Sequence, residues 1–226
     1  MKVWLSWSSG KDSAWALHVL RHMPGVEVTA LLSTINAAAD RVAMHGVRRE
    51  LLEAQARAAG LPIHIVPLPY PCANADYERI MAGVVAEAGL AGVEAMAFGD
   101  LFLEDIRAYR EARLAGTGVA PMFPLWGRET RALAREMIAA GVVAHLTSVD
   151  PARIDPALAG RRFDAGLLAD LPAGADPCGE NGEFHTFVSA GPMLAAAVPV
   201  AVGEIITRDG FVFADLLPAP PAAAGP

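Results

Sequence analysis

Val3-Trp4-Leu5-Ser6-Trp7-Ser8-Ser9-Gly10-Lys11-Asp12-Ser13 decides how the chain is read. An apolar run of β type feeds a small, hydroxyl-rich turn. Ser13, Ala16, Leu17 and Leu20 then recur at helical spacing on one face. Such a corner aims backbone N–H groups out of a helix N-terminus, where an anion binds. Lys11 adds a point charge suited to phosphate, and Asp12 a carboxylate suited to Mg²⁺. The Walker A loop is excluded, because Leu5 stands where its first glycine belongs and Asp12 follows the lysine. The plainer reading is an ordinary strand–turn–helix corner with a serine cap.

Outward from this corner, strands and helices alternate. Val26 to Thr34 is a second apolar run after the helix stop at Pro24-Gly25. Gly46 to Ala59 reads as a helix ended by Gly60, and Ile63 to Val66 as a short strand. Asn74 is placed to cap a helix through Leu90 with Tyr77, Ile80, Met81, Val84 and Ala88 facing inward. Ala95 to Phe98 is a buried strand ending in Gly99-Asp100. Strands separated by helices of this length predict parallel βαβ units with right-handed crossovers, whose ligands sit at the carboxyl ends of the strands. The Ser8–Ser13 loop and Asp100 both lie at such ends.

The second half changes character. A helix from about Glu129 to Ala140 precedes a β-like run, Val142 to Val149, and the prolines at 151, 156, 172 and 177 mark loops. Short strands near Glu204 to Thr207 and Phe211 to Ala214 flank Asp209-Gly210, a hairpin signal. The predicted organisation is therefore a nucleotide-binding domain over 1–126, a smaller α+β substrate domain over 127–217, and a disordered Pro/Ala-rich tail over 218–226.

Hydrophobic residues make up 54% of the 226-residue chain and charged residues 19%, enough apolar surface for a real core. The net charge of −7 makes a nucleic-acid partner unlikely. No run approaches the roughly 20 apolar residues of a membrane span. Lys11 and Asp12 interrupt the apolar start too early for a secretory signal, and Cys72 and Cys178 form neither a disulfide scaffold nor a zinc motif. A cytoplasmic location is expected, and a homodimer is compatible with everything above.

A second polar concentration is Asp176-Pro177-Cys178-Gly179-Glu180-Asn181-Gly182-Glu183-Phe184-His185-Thr186. If a strand starts near Glu183, Glu183 and His185 share one face of it. Carboxylates, an amide and an imidazole this close are expensive to bury without partners, which marks a site; a solvated loop is the alternative.

In order and spacing, five segments resemble the diphthine–ammonia ligase family of the ATP pyrophosphatases. They are Ser8–Ser13, Met44-His45-Gly46-Val47-Arg48, Phe98-Gly99-Asp100, Phe123-Pro124-Leu125-Trp126 and Cys178 through Thr186. The first resembles that group's S-G-G-x-D-S loop, with Ser9 in place of the first glycine. Serine costs little in a turn unless its φ is positive. The resemblance runs from about residue 2 to Asp215 and fits the short prokaryotic form.

It implies a HUP-type, Rossmann-like parallel sheet and an amidation: ATP adenylates a carboxylate, pyrophosphate leaves, and ammonia attacks the acyl adenylate. The family's acceptor is diphthine on elongation factor 2, a protein carboxylate; for a bacterial chain the acceptor stays open. Ser8, Ser9, Gly10, Lys11, Asp12 and Ser13 would cradle ATP, with His45 near the nucleotide. Asp12 and Asp100 would hold Mg²⁺. Glu180, Glu183 and His185 would be catalytic in the acceptor half-reaction, with ammonium as nitrogen source, and Asn181 and Thr186 would bind the acceptor. Arg107, with Arg110 and Arg113, either receives an acidic substrate or belongs to a solvated helix face paired with Glu111. A thiolating RNA-modification enzyme and a HUP-type nucleotide sensor remain as alternatives.

Overall fold

The computed structural model describes residues 1–220. The first part alternates β1 (Lys2–Ser6), α1 (Lys11–Arg21), β2 (Glu27–Asn36), β3 (Arg41–Val42), α2 (Arg49–Ala59), β4 (Ile63–Leu68), α3 (Asn74–Leu90), β5 (Ala95–Ala97), α4 (Glu104–Leu114) and β6 (Ala120–Met122). β1 lies between β2 and β5, β6 extends the sheet beyond β5, and β4 runs along β2, all parallel. Only the two-residue β3 is antiparallel, against the end of β2. Side chains alternate across the pleat. Val3 and Leu5 face the core that holds Leu17 and Leu20 of α1 and Leu51 and Leu52 of α2. Trp4, Leu32 and Met96 face the smaller core of Val85 and Ala88 from α3 and Leu114 from α4. This is the parallel α/β sheet expected from the alternation, in the HUP-like form that the family resemblance implies.

The helix stripe Ser13, Ala16, Leu17, Leu20 is buried as its spacing requires. Asn74 departs from expectation. It is the first residue inside α3, and Ala73 holds the capping position without a side-chain hydrogen bond.

The second part contains α5 (Thr130–Ala139), β7 (Val143–Val149), α6 (Ala165–Asp170), β8 (Phe184–Ala190), β9 (Val200–Arg208) and β10 (Phe211–Pro218). Its antiparallel sheet has the order β8-β7-β10-β9. Asp209 and Gly210 both take positive φ, the geometry of a two-residue hairpin turn. The disorder expected from residue 218 is not found at the first two residues of that stretch. Pro218 pairs with Val200, and the Ala219 amide donates to the Pro199 carbonyl at 3.0 Å. Residues 221–226 of that expectation lie outside the described residues.

The two parts share one hydrophobic core, which passes from Leu5, Leu17 and Leu51 to Leu133, Leu146, Phe187 and Leu216. Polar ties reinforce it. The Val188 amide donates to the Ser9 carbonyl at 3.0 Å. Gln55 Nε2 donates to the carbonyls of Ser9 and Val188, while its Oε1 accepts from the Trp7 indole. Asp215 on β10 binds both Arg41 at 2.7 Å and Arg48 at 2.6 Å. Burial alone would raise the Asp215 pKa; the two guanidiniums reverse that and hold it at about 2. The carboxyl ends of β1, β2, β4 and β5 thereby face the second sheet.

Candidate active site

The corner between β1 and α1 is shaped by close approach. A Cβ on Gly10 would stand 2.9 Å from the His45 ring and 3.2 Å from the Thr186 carbonyl. A Cβ on Gly99 would stand 2.9 Å from the backbone of Asp12. Only glycine lets these segments meet. Ser9 adopts φ +69°, so the serine that replaces glycine in the loop sits in the left-handed region after all. The Ser9 hydroxyl is buried without a partner. Ser8 and Ser13 hydroxyls lie 3.2 Å apart, and Ser13 Oγ donates back to the Gly10 carbonyl at 3.0 Å.

Lys11 points inward. Its ammonium donates to Asp12 Oδ2 at 2.8 Å and to the Cys178 carbonyl, and it lies 5.3 Å from the Phe184 ring centroid. Burial opposes its charge, but Asp12, Cys178 and Glu180 outweigh that and raise its pKa. Burial likewise raises the Asp12 pKa, against the pull of Lys11. Asp12 Oδ1 is buried and unpartnered.

The C-terminal block is folded onto this corner. Thr186 Oγ1 accepts from the Lys11 amide at 3.0 Å, satisfying one free N–H at the start of α1. Glu183 precedes β8 and is buried. Its Oε1 accepts from the Asp176 amide at 2.9 Å and Asn181 Nδ2 at 3.1 Å, while Oε2 is unpartnered. Glu183 and Asn181 thus hold the loop together. Glu180 reaches the first part, where its Oε1 accepts from the Leu101 amide at 2.7 Å. Burial, with Asp12 and Asp100 nearby, lifts its pKa to about 7 despite that bond. His185 leaves Glu183 behind and packs against His45 in a tilted pair, ring centroids 4.5 Å apart. Desolvation lowers both imidazoles, His185 to about 4, so each is neutral near pH 7. His45 Nδ1 donates to the Thr186 carbonyl at 3.1 Å, which leaves its Nε2 as an acceptor.

A cavity of about 540 Å³ opens at the carboxyl ends of the parallel strands. Leu32, Met96 and Phe98 line it from the sheet, Tyr77 and Met81 from α3, and Arg110 and Arg113 from α4. Ser8, His45 and His185 line its end at the corner. Arg110 grips both carboxylate oxygens of Asp100, at 2.6 and 3.0 Å. Arg113 binds Glu78 at 2.8 Å. Arg107 pairs with Glu111 at 2.8 Å and stacks over Trp126 and Phe123, away from the cavity lining.

The structure therefore gathers Ser8, His45 and His185 at one cavity, with Asp12, Lys11 and Glu180 behind the corner. Glu183, Asn181 and Thr186 serve the loop and helix end, and Arg107 stands aside. Among the described residues, no group of three His, Cys, Asp or Glu side chains is placed to hold a metal ion. A Mg²⁺ ion would find one free oxygen, Asp12 Oδ1, whereas Asp100 is engaged by Arg110. Sequence reading missed Tyr77 and Met81 as cavity residues. Their helical spacing marked an inward face, but not that the face is only half covered.

Two family models match the chain: the diphthamide synthase N-terminal domain over residues 1–119 and the C-terminal domain over residues 129–213. The chain belongs to the diphthamide synthase family. Both matched stretches contribute to the site. The N-terminal match carries the Ser8–Ser13 corner and His45, and the C-terminal match carries Glu180 and His185. Membership assigns an enzyme of the ATP pyrophosphatase and ligase type, similar to diphthine–ammonia ligase. No curated relative matches the chain by sequence. Among the described residues, no helix is long and apolar enough to cross a membrane.

Proposed function

We propose that the protein is an ATP-dependent amide ligase that adenylates a carboxylate and transfers ammonia to it. The observation that carries this reading is the cavity itself. It runs along the carboxyl ends of a parallel sheet to the turn before α1 and ends on His185 of the family-specific block. Nucleotides bind at such strand ends, with phosphates toward a helix N-terminus. The apolar floor of Leu32, Met96 and Phe98 suits a base and sugar. Ser8, in the turn before α1, then faces the phosphates, while Lys11, turned inward onto Asp12 and the Cys178 carbonyl, stands behind the corner. Asp12 Oδ1 would hold Mg²⁺, which would supply positive charge against the pyrophosphate leaving group.

In the first step an acceptor carboxylate oxygen bonds to the α-phosphorus, the α–β bridge breaks, and pyrophosphate leaves with the electron pair. In the second, ammonia nitrogen bonds to the acyl carbon, the acyl–oxygen bond breaks, and AMP departs. Ammonia then carries a surplus proton, and the paired His45 and His185 imidazoles, both lining the cavity, are the side chains placed to relay it away. Free ammonium serves as the nitrogen donor in vitro in this reading, giving up one proton to become the attacking ammonia. A thiolating reading is disfavoured. The Cys178 thiol is buried and pushed far up by that burial, so it supplies no thiolate.

Product analysis tests the proposal. With a competent acceptor the nucleotide product is AMP with pyrophosphate, and Asp12→Asn abolishes turnover while leaving the circular-dichroism spectrum intact. ADP with inorganic phosphate as sole products, or wild-type turnover by Asp12→Asn, overturns it.

A further inference from the structure

Beside the nucleotide cavity lies a second one, of about 380 Å³. The two share a wall made of Val42, Ala43, Met44, Leu68 and His185. Both parts of the chain build the far side. Tyr70 and Cys72 follow β4, while Phe211 and Phe213 come from β10. At the mouth the Tyr70 hydroxyl donates to Asp209 Oδ2 at 3.4 Å, so the loop after β4 meets the hairpin turn. Two arginines line the cavity, and they differ. Arg41 is committed to Asp215 at 2.7 Å. Arg208 stacks 5.0 Å over Phe213 and, among the described residues, has Asp209 at 3.8 Å as its carboxylate neighbour. Met44, on the shared wall, holds φ +64° and is 67% exposed. A bulky residue in the left-handed region is strained, and such strain collects at functional sites.

We propose that this second cavity is the acceptor subsite. It takes a carboxylate borne on a flat or apolar body, and the carboxylate reaches the nucleotide past Met44 and His185. The inference rests on the ligase reading above. Two reactants must be held within contact distance, and a shared wall is where that happens. The aromatic side chains hold the body of the acceptor by apolar contact. Arg208 draws the anion to the mouth. His185 faces both cavities and is thereby positioned where the acyl group, the nucleotide and incoming ammonia converge.

Cys72 makes the test direct. It lines the second cavity and not the first, and it is half-buried, whereas Cys178 is buried. N-ethylmaleimide should attach to Cys72 alone in the full chain. Phenylbutyrate, as a carboxylate probe, should slow that reaction by about fivefold or more at millimolar concentration, following one plus ligand over Kd. Phenylbutylamine, with its charge inverted, should not. Arg208→Ala should weaken the protection. The alkylated protein should bind ATP, measured by calorimetry, within a few-fold of the free protein. No protection by phenylbutyrate, or equal protection by the amine, overturns the proposal. Loss of ATP binding on alkylation also overturns it, by making the second cavity part of the nucleotide's own site. Absence of ATP binding in the unmodified protein instead overturns the ligase reading itself.

Discussion

The Ser8–Ser13 corner and the Asp176–Thr186 loop are both short, polar and rich in glycine or small residues, yet the structure treats them differently. The corner keeps groups in reserve: Ser8 lines a cavity, and Asp12 Oδ1 and Ser9 Oγ are buried without protein partners. The loop spends most of its polar groups on holding itself and the corner in place. The Cys178 carbonyl takes the Lys11 ammonium, Thr186 takes the Lys11 amide, and Glu183 takes Asp176 and Asn181. A segment can therefore be the most family-specific in a chain while much of it is scaffold. From that loop, His185 lines both cavities and Glu180 reaches across to the first part.

The largest effect should come from breaking the tie between the two regions. Lys11→Met leaves Asp12 and the Cys178 carbonyl facing a methyl group in a buried site. Removing one partner of a buried pair costs about 3–5 kcal/mol. Urea denaturation should show that loss at unchanged m-value. A change within a few tenths of a kcal/mol would mean that the corner and the loop are held by packing alone.

Next come the groups nearest the chemistry. His185→Ala should lower acceptor-dependent AMP formation by a factor on the order of 10², the usual loss for a positioned acid–base group, with ATP affinity within a few-fold of wild type. Glu183→Ala should act on stability instead, by about 1–3 kcal/mol, because it strands the Asp176 amide. Equal turnover losses without destabilisation would return Glu183 to the reacting groups. Titration separates two groups within the loop. The folded pKa of Glu180 is raised to about 7, so the stability due to its bound proton is lost as pH climbs from the ordinary carboxylate range through about 7. His185 works at the other end. Its folded pKa is lowered to about 4, so the fold loses stability as pH falls from the ordinary imidazole range through that value. Denaturation midpoints across pH should flatten on the alkaline side in Glu180→Gln and on the acid side in His185→Ala.

Smaller again is Thr186→Val. The β8 strand should persist, but the Lys11 amide loses its acceptor inside the protein, at a cost of about 1–3 kcal/mol. Thr186→Ser keeps the hydroxyl and should recover most of it.

These predictions depend on contacts of very unequal legibility. The parallel sheet could be read because strand and helix periodicities alternate cleanly from Val3 to Ala97, and the hairpin because Asp209-Gly210 suits its turn. β3 and β6 could not, being two and three residues long and the latter containing Pro121. α6 was concealed among prolines and glycines, although Asp164, which caps it through the Leu167 amide, was a usable signal. At the site, Ser8–Ser13 announced itself by local chemistry. The His45–His185 pair did not, because nothing in either local sequence encodes a partner so far along the chain. The inward turn of Lys11 was equally hidden. Beside a phosphate-type loop its charge reads as a ligand for phosphate, and only the Cys178 carbonyl and the Phe163 and Phe184 rings explain where it goes.

The smallest expected effect addresses the one residue at which the corner departs from its family pattern. Ser9 carries φ +69°, and a non-glycine residue in the left-handed region costs about 1–2 kcal/mol. Its hydroxyl gains nothing in return, being buried without a partner. The backbone, by contrast, is fully used: the Ser9 carbonyl accepts from Val188 and Gln55. Ser9→Gly keeps those bonds and removes both the strain and the orphaned hydroxyl, while the unfolded chain gains about 0.5–1 kcal/mol of conformational freedom. The net should be a stabilisation of about 1 kcal/mol, read as a higher urea midpoint. If Ser9→Gly is instead destabilising, the serine hydroxyl has a partner that appears only with bound nucleotide or water. ATP binding to the same variant would then weaken as well, and the cavity-lining side of the corner would extend to Ser9.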